Sequence, residues 1–294
     1  MRLGRFRSDD GPAWCGIRND QSSVVHLPEA GDGVGVFLPY RMRDLLADPR
    51  WDRKVELVVE YARETGTGLY EIEDLEQLAP VGAPDKIVCV GLNYRDHAEE
   101  GDNPIPDEPV LFAKFPTAIT GPNATIEWDP DYTKQVDYEA ELITVIGNKA
   151  REVDREDAFD HVAGYTVGND VSARDLQHGD GQWVRGKSLD TFAPTGPDLV
   201  TPDDVSDPHD LAIWTEVNGT RLQESSTSNL IFGIDELVAF CSRAFTLNPG
   251  DLIFTGTPPG VGVYRDPPEL LEAGDTVTVG VEAVGELTNP CAHR

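Results

Sequence analysis

The stretch Val136-Asp137-Tyr138-Glu139-Ala140-Glu141-Leu142-Ile143 alternates apolar and acidic side chains in the manner of a β-strand. Side chains two apart in a strand point to the same face, so Glu139 and Glu141 lie together while the residues between them pack on the other face. Two adjacent carboxylates repel each other, and a divalent cation removes this repulsion. Oxygen ligands suit Mg²⁺, Mn²⁺ or Ca²⁺ better than zinc. The alternative is a solvated polar strand edge, which is common in a chain with 53 acidic residues.

A third carboxylate follows the next predicted strand. Residues 161–167 read as a strand and run into Gly168-Asn169-Asp170, so Asp170 stands at a strand end, a usual place for a ligand on a rigid scaffold. Two Glu and one Asp leave coordination positions for substrate and water, as a catalytic metal ion requires. A catalytic metal site is therefore predicted, with a structural cation site in a non-catalytic binding protein as the alternative.

Residues 91–100 contain a candidate acid–base pair. If they include a helical turn, His97 and Glu100 are i, i+3 neighbours, and the carboxylate can orient the imidazole for proton transfer. The segment Asp102–Pro106 that follows has the composition of a mobile lid. An incidental pair on an acidic surface is the alternative interpretation.

Two Gly-rich segments carry further candidates. Residues 181–188 match the phosphate-loop pattern G-x-x-x-x-G-K-[ST], with Lys187 as its lysine. The flanking residues are polar on one side and rich in proline on the other, unlike the strand and helix that this loop needs, so an NTPase is the weaker interpretation. Thr257 lies in a Gly/Pro loop whose N–H groups and hydroxyl can hold a carboxylate, although such a loop can also be only a rigid turn.

Strand patterns outnumber helical patterns along the chain. Helical periodicity is clear at residues 52–65 and 234–244, and Asn218-Gly219 is typical of a two-residue β-hairpin turn. Strands do not alternate regularly with helices, so we expect an α+β, mainly β fold and not a doubly wound sheet. The strand patterns cover residues 2–7, 13–18, 24–27, 86–90, 110–115, 136–146, 162–167, 211–217, 252–255 and 276–281.

Two units are expected along the chain. The three short β patterns near the N-terminus predict a small antiparallel unit, which with the first helix covers residues 1–75. An acidic and then proline-bearing connection leads to a second unit at residues 80–294, which contains all the candidate site residues.

The composition excludes several classes of partner. The 294-residue chain carries 53 acidic and 24 basic side chains, for a net charge of −29, which argues against binding to nucleic acid or to anionic membranes. Dispersed acids with only 6 lysines are typical of a surface adapted to high salt, the alternative being an ordinary acidic enzyme. The four cysteines are too far apart to indicate a zinc cluster or a disulfide framework. Without a signal-peptide or membrane-spanning pattern, we expect a cytoplasmic protein.

Several motifs in order resemble the fumarylacetoacetate hydrolase superfamily, in particular its bacterial and archaeal acylpyruvase and 2-hydroxyhepta-2,4-diene-1,7-dioate isomerase branch. The resemblance covers about residues 80–290, and the first 40 residues look like the short N-terminal β unit of these proteins. It implies layered mixed β-sheets of roll or sandwich type with few helices, and a homodimer. The motifs are GLNYRDHAEE, LFAKFPTAITGP, DYEAEL, GNDVSARDLQ, GKSLDTFAPTGP, IWTEVNGTRLQ and GDLIFTGTPPGVG.

The resemblance also implies roles for individual residues. Mg²⁺ or Mn²⁺ is the expected cofactor, His97 and Glu100 form the acid–base dyad on a lid, and Lys187 contacts the substrate oxygens. Gln177 and Thr257 match positions that hold the substrate carboxylate. This chain departs from some relatives, which carry Arg at the position of Leu92, so the resemblance does not imply a cationic contact there. The ligands implied for the metal ion are Glu139, Glu141 and Asp170.

By the same resemblance, the substrate is a small 2-oxo acid that reacts through an enolate. We expect hydrolysis of a C–C bond in an acylpyruvate-like or fumarylpyruvate-like 2,4-dioxo acid. The alternatives are isomerisation of 2-hydroxyhepta-2,4-diene-1,7-dioate, decarboxylation of oxaloacetate and dehydration of a 2-keto-3-deoxy sugar acid.

Overall fold

A computed structural model describes residues 1–9, 11–101 and 104–294 of the chain. Asp102 and Asn103, part of the predicted lid, lie outside the described residues. The strands are β1 Arg2–Arg7, β2 Trp14–Arg18, β3 Ser23–His26, β4 Leu69–Glu71, β5 Glu76–Leu78, β6 Ile87–Gly91, β7 Val110–Lys114, β8 Ile119–Thr120, β9 Ile126–Trp128, β10 Val136–Asp137, β11 Ala140–Ile146, β12 Val162–Asn169, β13 Ser172–Ala173, β14 Ala193–Val200, β15 Ala212–Val217, β16 Thr220–Ser226, β17 Leu252–Phe254, β18 Thr276–Val281 and β19 Gly285–His293. The α-helices are α1 Leu27–Val34, α2 Met42–Leu46, α3 Trp51–Thr65, α4 Arg95–Glu100, α5 Arg174–Asp180, α6 Val184–Lys187 and α7 Ile234–Ala244.

The two helices predicted from periodicity are confirmed. α3 buries its apolar stripe and ends at Gly66, whose φ of 77° is the left-handed conformation that favours glycine at a helix end. α7 buries the face that carries Leu237 and Cys241. The remaining α-helices have at most eight residues, too few for a clear periodic pattern.

A mixed 12-stranded sheet forms the main layer, and it runs in the order β4-β3-β2-β1-β14-β12-β11-β17-β6-β7. In addition, β5 pairs with β1 and β8 pairs with β14. Because β1 pairs with β14, strands from both predicted units share this sheet. The division into residues 1–75 and 80–294 stays a prediction.

The strand β11 separates two apolar cores. Its side chains alternate between them, with Leu142 in one core and Ile143 in the other, as the period of two residues requires. A five-stranded sheet, β16-β15-β18-β19-β9, packs on the first face across β11, β12 and β14. Helices α1, α2 and α3 cover the core on the second face. The expected α+β, mainly β architecture with layered sheets is thus confirmed.

Two local features refine the expectations. The predicted strand at residues 136–146 is interrupted at Tyr138 and Glu139, where the N–H of Glu139 donates to the side chain of Asn169 and not to a main-chain carbonyl of a neighbouring strand. The predicted hairpin joins β15 to β16, and Asn218 and Gly219 both have positive φ, 52° and 79°, as a type I′ turn needs. Among the described residues, no helix has the length and apolar character to cross a bilayer.

Candidate active site and metal centre

Three buried carboxylates meet where β11 begins and β12 ends. Glu141 lies in β11 opposite Gly168 of β12, and Glu139 precedes β11. The N–H of Asp170 donates to the carbonyl of Glu139 over 2.9 Å, which brings the end of one strand to the beginning of the other. One oxygen of each carboxylate lies within 4.8 Å of the others. The structure therefore brings together the three residues that the sequence predicts as metal ligands.

Two buried lysines contact this carboxylate cluster. The Nζ of Lys187, on α6, donates to Glu139 Oε2 over 2.8 Å and to Asp170 Oδ2 over 2.9 Å. The Nζ of Lys114, at the end of β7, donates to Asp170 Oδ1 and, over 3.1 Å, to the carbonyl of Val171. Asp170 is thus held between two ammonium groups.

An arginine completes the surroundings of Glu139. Arg174, at the start of α5, approaches Glu139 Oε1 to 2.7 Å through Nη2 and donates from Nε to Asp137 Oδ2 over 2.8 Å. Its Nη1 donates to Gln177 Oε1 over 3.0 Å, so the guanidinium also orients the predicted substrate-binding glutamine. Burial opposes the charge of Arg174, but Asp137 and Glu139 outweigh it and raise its pKa.

The three predicted ligands fit a divalent cation. Burial favours the neutral form of Glu139, but the charges of Lys187 and Arg174 outweigh it and lower its pKa to about 2. Burial, together with the charges of Asp170 and Glu139, raises the pKa of Glu141 well above its ordinary value. Glu141 accepts one hydrogen bond, 2.7 Å from the N–H of Gly256, which is not enough to offset that repulsion. A hard divalent cation would supply the missing positive charge to an all-oxygen donor set.

The predicted acid–base pair is also formed. His97 and Glu100 lie one turn apart on α4, and His97 Nδ1 is 3.0 Å from Glu100 Oε2. The other carboxylate oxygen, Oε1, accepts a 2.8 Å hydrogen bond from the N–H of Gly260. The loop after β17 therefore fixes the carboxylate that orients the imidazole.

One cavity of about 160 Å³ is lined by residues of both groups, His97 of the acid–base pair and Glu139 of the carboxylate cluster. Phe112, Trp183 and Tyr264 form part of its wall, and the aromatic ring of Phe112 lies 5.2 Å from Lys187 Nζ. The predicted site residues that line it are His97, Glu139, Gln177, Lys187 and Thr257. Larger grooves lie elsewhere, one of about 1020 Å³ beside Arg18 and Glu60, but none of the predicted site residues lines them.

Thr257 and Leu92 have surroundings that the sequence does not show. The Thr257 hydroxyl accepts a 2.9 Å hydrogen bond from Gln223 Nε2, so its oxygen already has one fixed partner at the cavity wall. Leu92 lines the cavity with a left-handed φ of 53°, an uncommon conformation for a leucine.

Three residues of the centre were missed by reasoning from sequence. These residues are Lys114, Asp137 and Arg174. Each lies within one of the motifs that carry the family resemblance, and each is buried in the structure. The scarcity of lysine, which drew attention to Lys187, also applies to Lys114. Nothing in the local pattern shows that Arg174 pairs with Asp137, 37 residues earlier in the chain.

The phosphate-loop interpretation of residues 181–188 is wrong. Helix α5, and not a buried strand, precedes the motif. The ammonium group of Lys187, which would bind phosphate, is enclosed by Glu139 and Asp170.

Comparison with known proteins supports the family resemblance seen in the sequence motifs. The family model for the fumarylacetoacetate (FAA) hydrolase C-terminal domain matches residues 86–292. The mitochondrial oxaloacetate tautomerase fahd2 of Xenopus laevis is 42% identical over 294 residues, which cover 99% of this chain and 90% of that protein.

Two solved structures share the whole fold. The crystal structure of 5-carboxymethyl-2-hydroxymuconate delta-isomerase from Mycobacterium smegmatis is 37% identical, with a TM-score of 0.79 and full coverage of both chains. Maleylpyruvate hydrolase from Sphingobium sp. SYK-6 is 29% identical, with a TM-score of 0.80 and full coverage of both chains. Because the family model spans most of the chain and full-length relatives carry the same fold, this protein belongs to the fumarylacetoacetate hydrolase family of enzymes.

Proposed function

We propose that this enzyme converts a small 2-oxo acid through its enolate, at a divalent cation held by Glu139, Glu141 and Asp170. The preferred reaction is the keto–enol tautomerisation of oxaloacetate. The observation that carries the proposal is that His97, Lys187 and Glu139 line the same cavity. A proton-transferring imidazole, an ammonium group and a carboxylate of the cluster can therefore act on one bound molecule.

The size of the cavity favours a small substrate. Its volume of about 160 Å³ is below the roughly 300–1,000 Å³ of typical ligand pockets. A relative that matches nearly the full length of the chain is named an oxaloacetate tautomerase. Together, these two observations support our choice of tautomerisation over the C–C hydrolysis that the motifs favour.

His97 would transfer the proton in this reaction. Because Glu100 holds the ring at Nδ1, Nε2 is the atom left to exchange a proton with substrate. Nε2 takes a proton from C3 of oxaloacetate, and the electron pair of that C–H bond becomes the C2=C3 double bond. The C2 oxygen then takes up a proton, so no atom is gained or lost overall.

Lys187 would stabilise the negative charge that develops on the C2 oxygen. Its ammonium group is buried, and an electrostatic contact of this kind is stronger where water is excluded. A divalent cation bound to the cluster would polarise the same carbonyl group and so favour loss of the adjacent proton. Gln177 and Thr257 are the proposed contacts of the substrate carboxylate.

Hydrolysis of an acylpyruvate is the second candidate. The His97–Glu100 pair favours it, because the same Nε2 can take a proton from water whose oxygen attacks the distal carbonyl carbon. The C–C bond then breaks, and its electron pair forms the enolate of pyruvate. The structural similarity to a maleylpyruvate hydrolase supports this candidate too.

A substrate panel separates the candidates. Enol-oxaloacetate and an acylpyruvate are supplied in concentrated KCl with Mg²⁺ or Mn²⁺, and the reactions are followed by ultraviolet absorbance and proton NMR. Tautomerisation removes the enol signal without forming pyruvate, decarboxylation forms pyruvate, and hydrolysis yields pyruvate with a second acid. We expect the enzyme to remove the enol faster than free metal ion does. In the His97→Asn variant this rate should be about 10²- to 10⁴-fold lower.

His161→Asn is the matched control, because His161 lies outside the cavity and contacts the carbonyl of Asn148. It should leave the rate unchanged. Cleavage of the acylpyruvate without effect on oxaloacetate would establish the second candidate, and an enzyme inactive on both would contradict the proposal.

A further inference from the structure

The two lysines on Asp170 differ in what surrounds them. Lys187 lines the cavity and bridges two of the proposed ligands, Glu139 and Asp170. Lys114 binds the other oxygen of Asp170 and the main-chain carbonyl of Val171, and its side chain is fully enclosed. Lys114 thus belongs to the scaffold, whereas Lys187 faces the space that a ligand enters.

The oxygens that Lys187 occupies belong to the carboxylates proposed to bind the cation. Arg174 already approaches Glu139 Oε1, and Lys114 holds Asp170 Oδ1. The oxygens left, Glu139 Oε2 and Asp170 Oδ2, are the two that Lys187 contacts. A cation that binds both residues therefore meets an ammonium group at the oxygens most open to it.

We infer that Lys187 competes with the divalent cation for Glu139 and Asp170. In the metal-free protein the Lys187 ammonium group holds these two carboxylates together, and metal binding releases it toward the cavity. Lys114 keeps its contact with Asp170 in both states. The inference rests on the proposed metal site. It adds that metal binding is what frees the Lys187 ammonium group to contact the substrate. In the metal-free enzyme, the Lys187 ammonium group would therefore stay on the carboxylates and away from the substrate oxygens.

Metal affinity tests the inference without any measurement of activity. Mn²⁺ binding to the full-length protein is measured by electron paramagnetic resonance and calorimetry for the wild type and Lys187→Met. A positive charge a few ångströms from a divalent cation is strongly unfavourable, so its loss should tighten Mn²⁺ binding by about tenfold or more. Lys54→Met is the control, because it removes a lysine of helix α3 from an ion pair with Asp48, and it should leave binding unchanged.

Thermal unfolding supplies a second measurement. Without Lys187, only Lys114 and Arg174 offset the buried carboxylates, so the metal-free variant should unfold roughly 5 to 10 °C below the wild type. With Mn²⁺ bound, most of that difference should disappear. Lys114→Met should lower the midpoint with and without Mn²⁺, because the carbonyl of Val171 loses its donor in both states.

Acylation of wild-type lysines tests release directly, even if a variant fails to fold. Mass spectrometry should show that saturating Mg²⁺ speeds modification of Lys187 severalfold and leaves Lys54 unchanged. Equal or weaker Mn²⁺ binding by Lys187→Met, or a Lys187 that Mg²⁺ protects, would overturn the inference. If the wild type binds no Mn²⁺ at all, the proposed metal site itself fails, which is a separate result.

Discussion

The main-chain N–H of Gly260 donates to Glu100, the carboxylate that contacts His97 on its other oxygen. This contact ties the loop after β17 to helix α4, two segments 160 residues apart in the chain. The loop that carries Thr257 and the helix that carries the imidazole are therefore positioned as one unit.

Glu100→Gln tests this arrangement. The amide cannot stabilise a protonated imidazole, so we expect kcat to fall about 10- to 100-fold while the protein remains folded. Glu99→Gln is the control, because Glu99 is the exposed neighbour on the same helix. Steady-state kinetics measures both, and equal rates in the two variants would contradict the role of Glu100.

Glu141→Gln tests the metal site. The pKa of Glu141 is raised by burial and by neighbouring carboxylates, so the neutral amide should leave the chelated protein as stable as the wild type or more so. Mn²⁺ at 100 times its Kd should stabilise the wild type by about 2.7 kcal/mol. The variant should lose this gain in thermal unfolding, whereas Glu286→Gln, an exposed change on β19, should retain it.

Asp137→Asn tests the internal support of the centre. Asp137 accepts hydrogen bonds from the N–H groups of Gly262 and Val263 and binds Arg174. Removing a buried charge partner commonly costs about 3–5 kcal/mol, and denaturant unfolding should show a loss of that order. Asp175→Asn, next to Arg174 but bound to Thr133, should cost less than half as much. Comparable losses would mean that the pair with Arg174 is not the main support.

Salt dependence tests the interpretation of the charge. At a net charge of −29 the surface repels itself, and 1 M salt shortens the screening length to about 3 Å. The unfolding midpoint should therefore rise steadily from 0.1 to 2 M KCl, more than an equal osmolarity of sucrose raises it. A midpoint that KCl does not change would reject adaptation to high salt.

The cytoplasmic location and the homodimer expected from the sequence also stay predictions.

Local sequence was sufficient for much of the fold. Helix α3, helix α7 and the Asn218-Gly219 hairpin follow from periodicity and turn chemistry, which act over a few residues. The face shared by Glu139 and Glu141 follows from the two-residue period of β structure, although β11 itself begins one residue after Glu139.

The tertiary structure decided which charged groups contact one another. Asp170 meets Lys114 and Lys187, which lie 56 and 17 residues away, only because β7 and α6 converge on the end of β12. The motif around Lys187 reads as a phosphate loop in isolation, and its real partners are carboxylates brought there by distant strands. Sequence names the residue types and their local faces, but it cannot show which buried charges compensate one another, because those contacts arise only when the sheet is assembled.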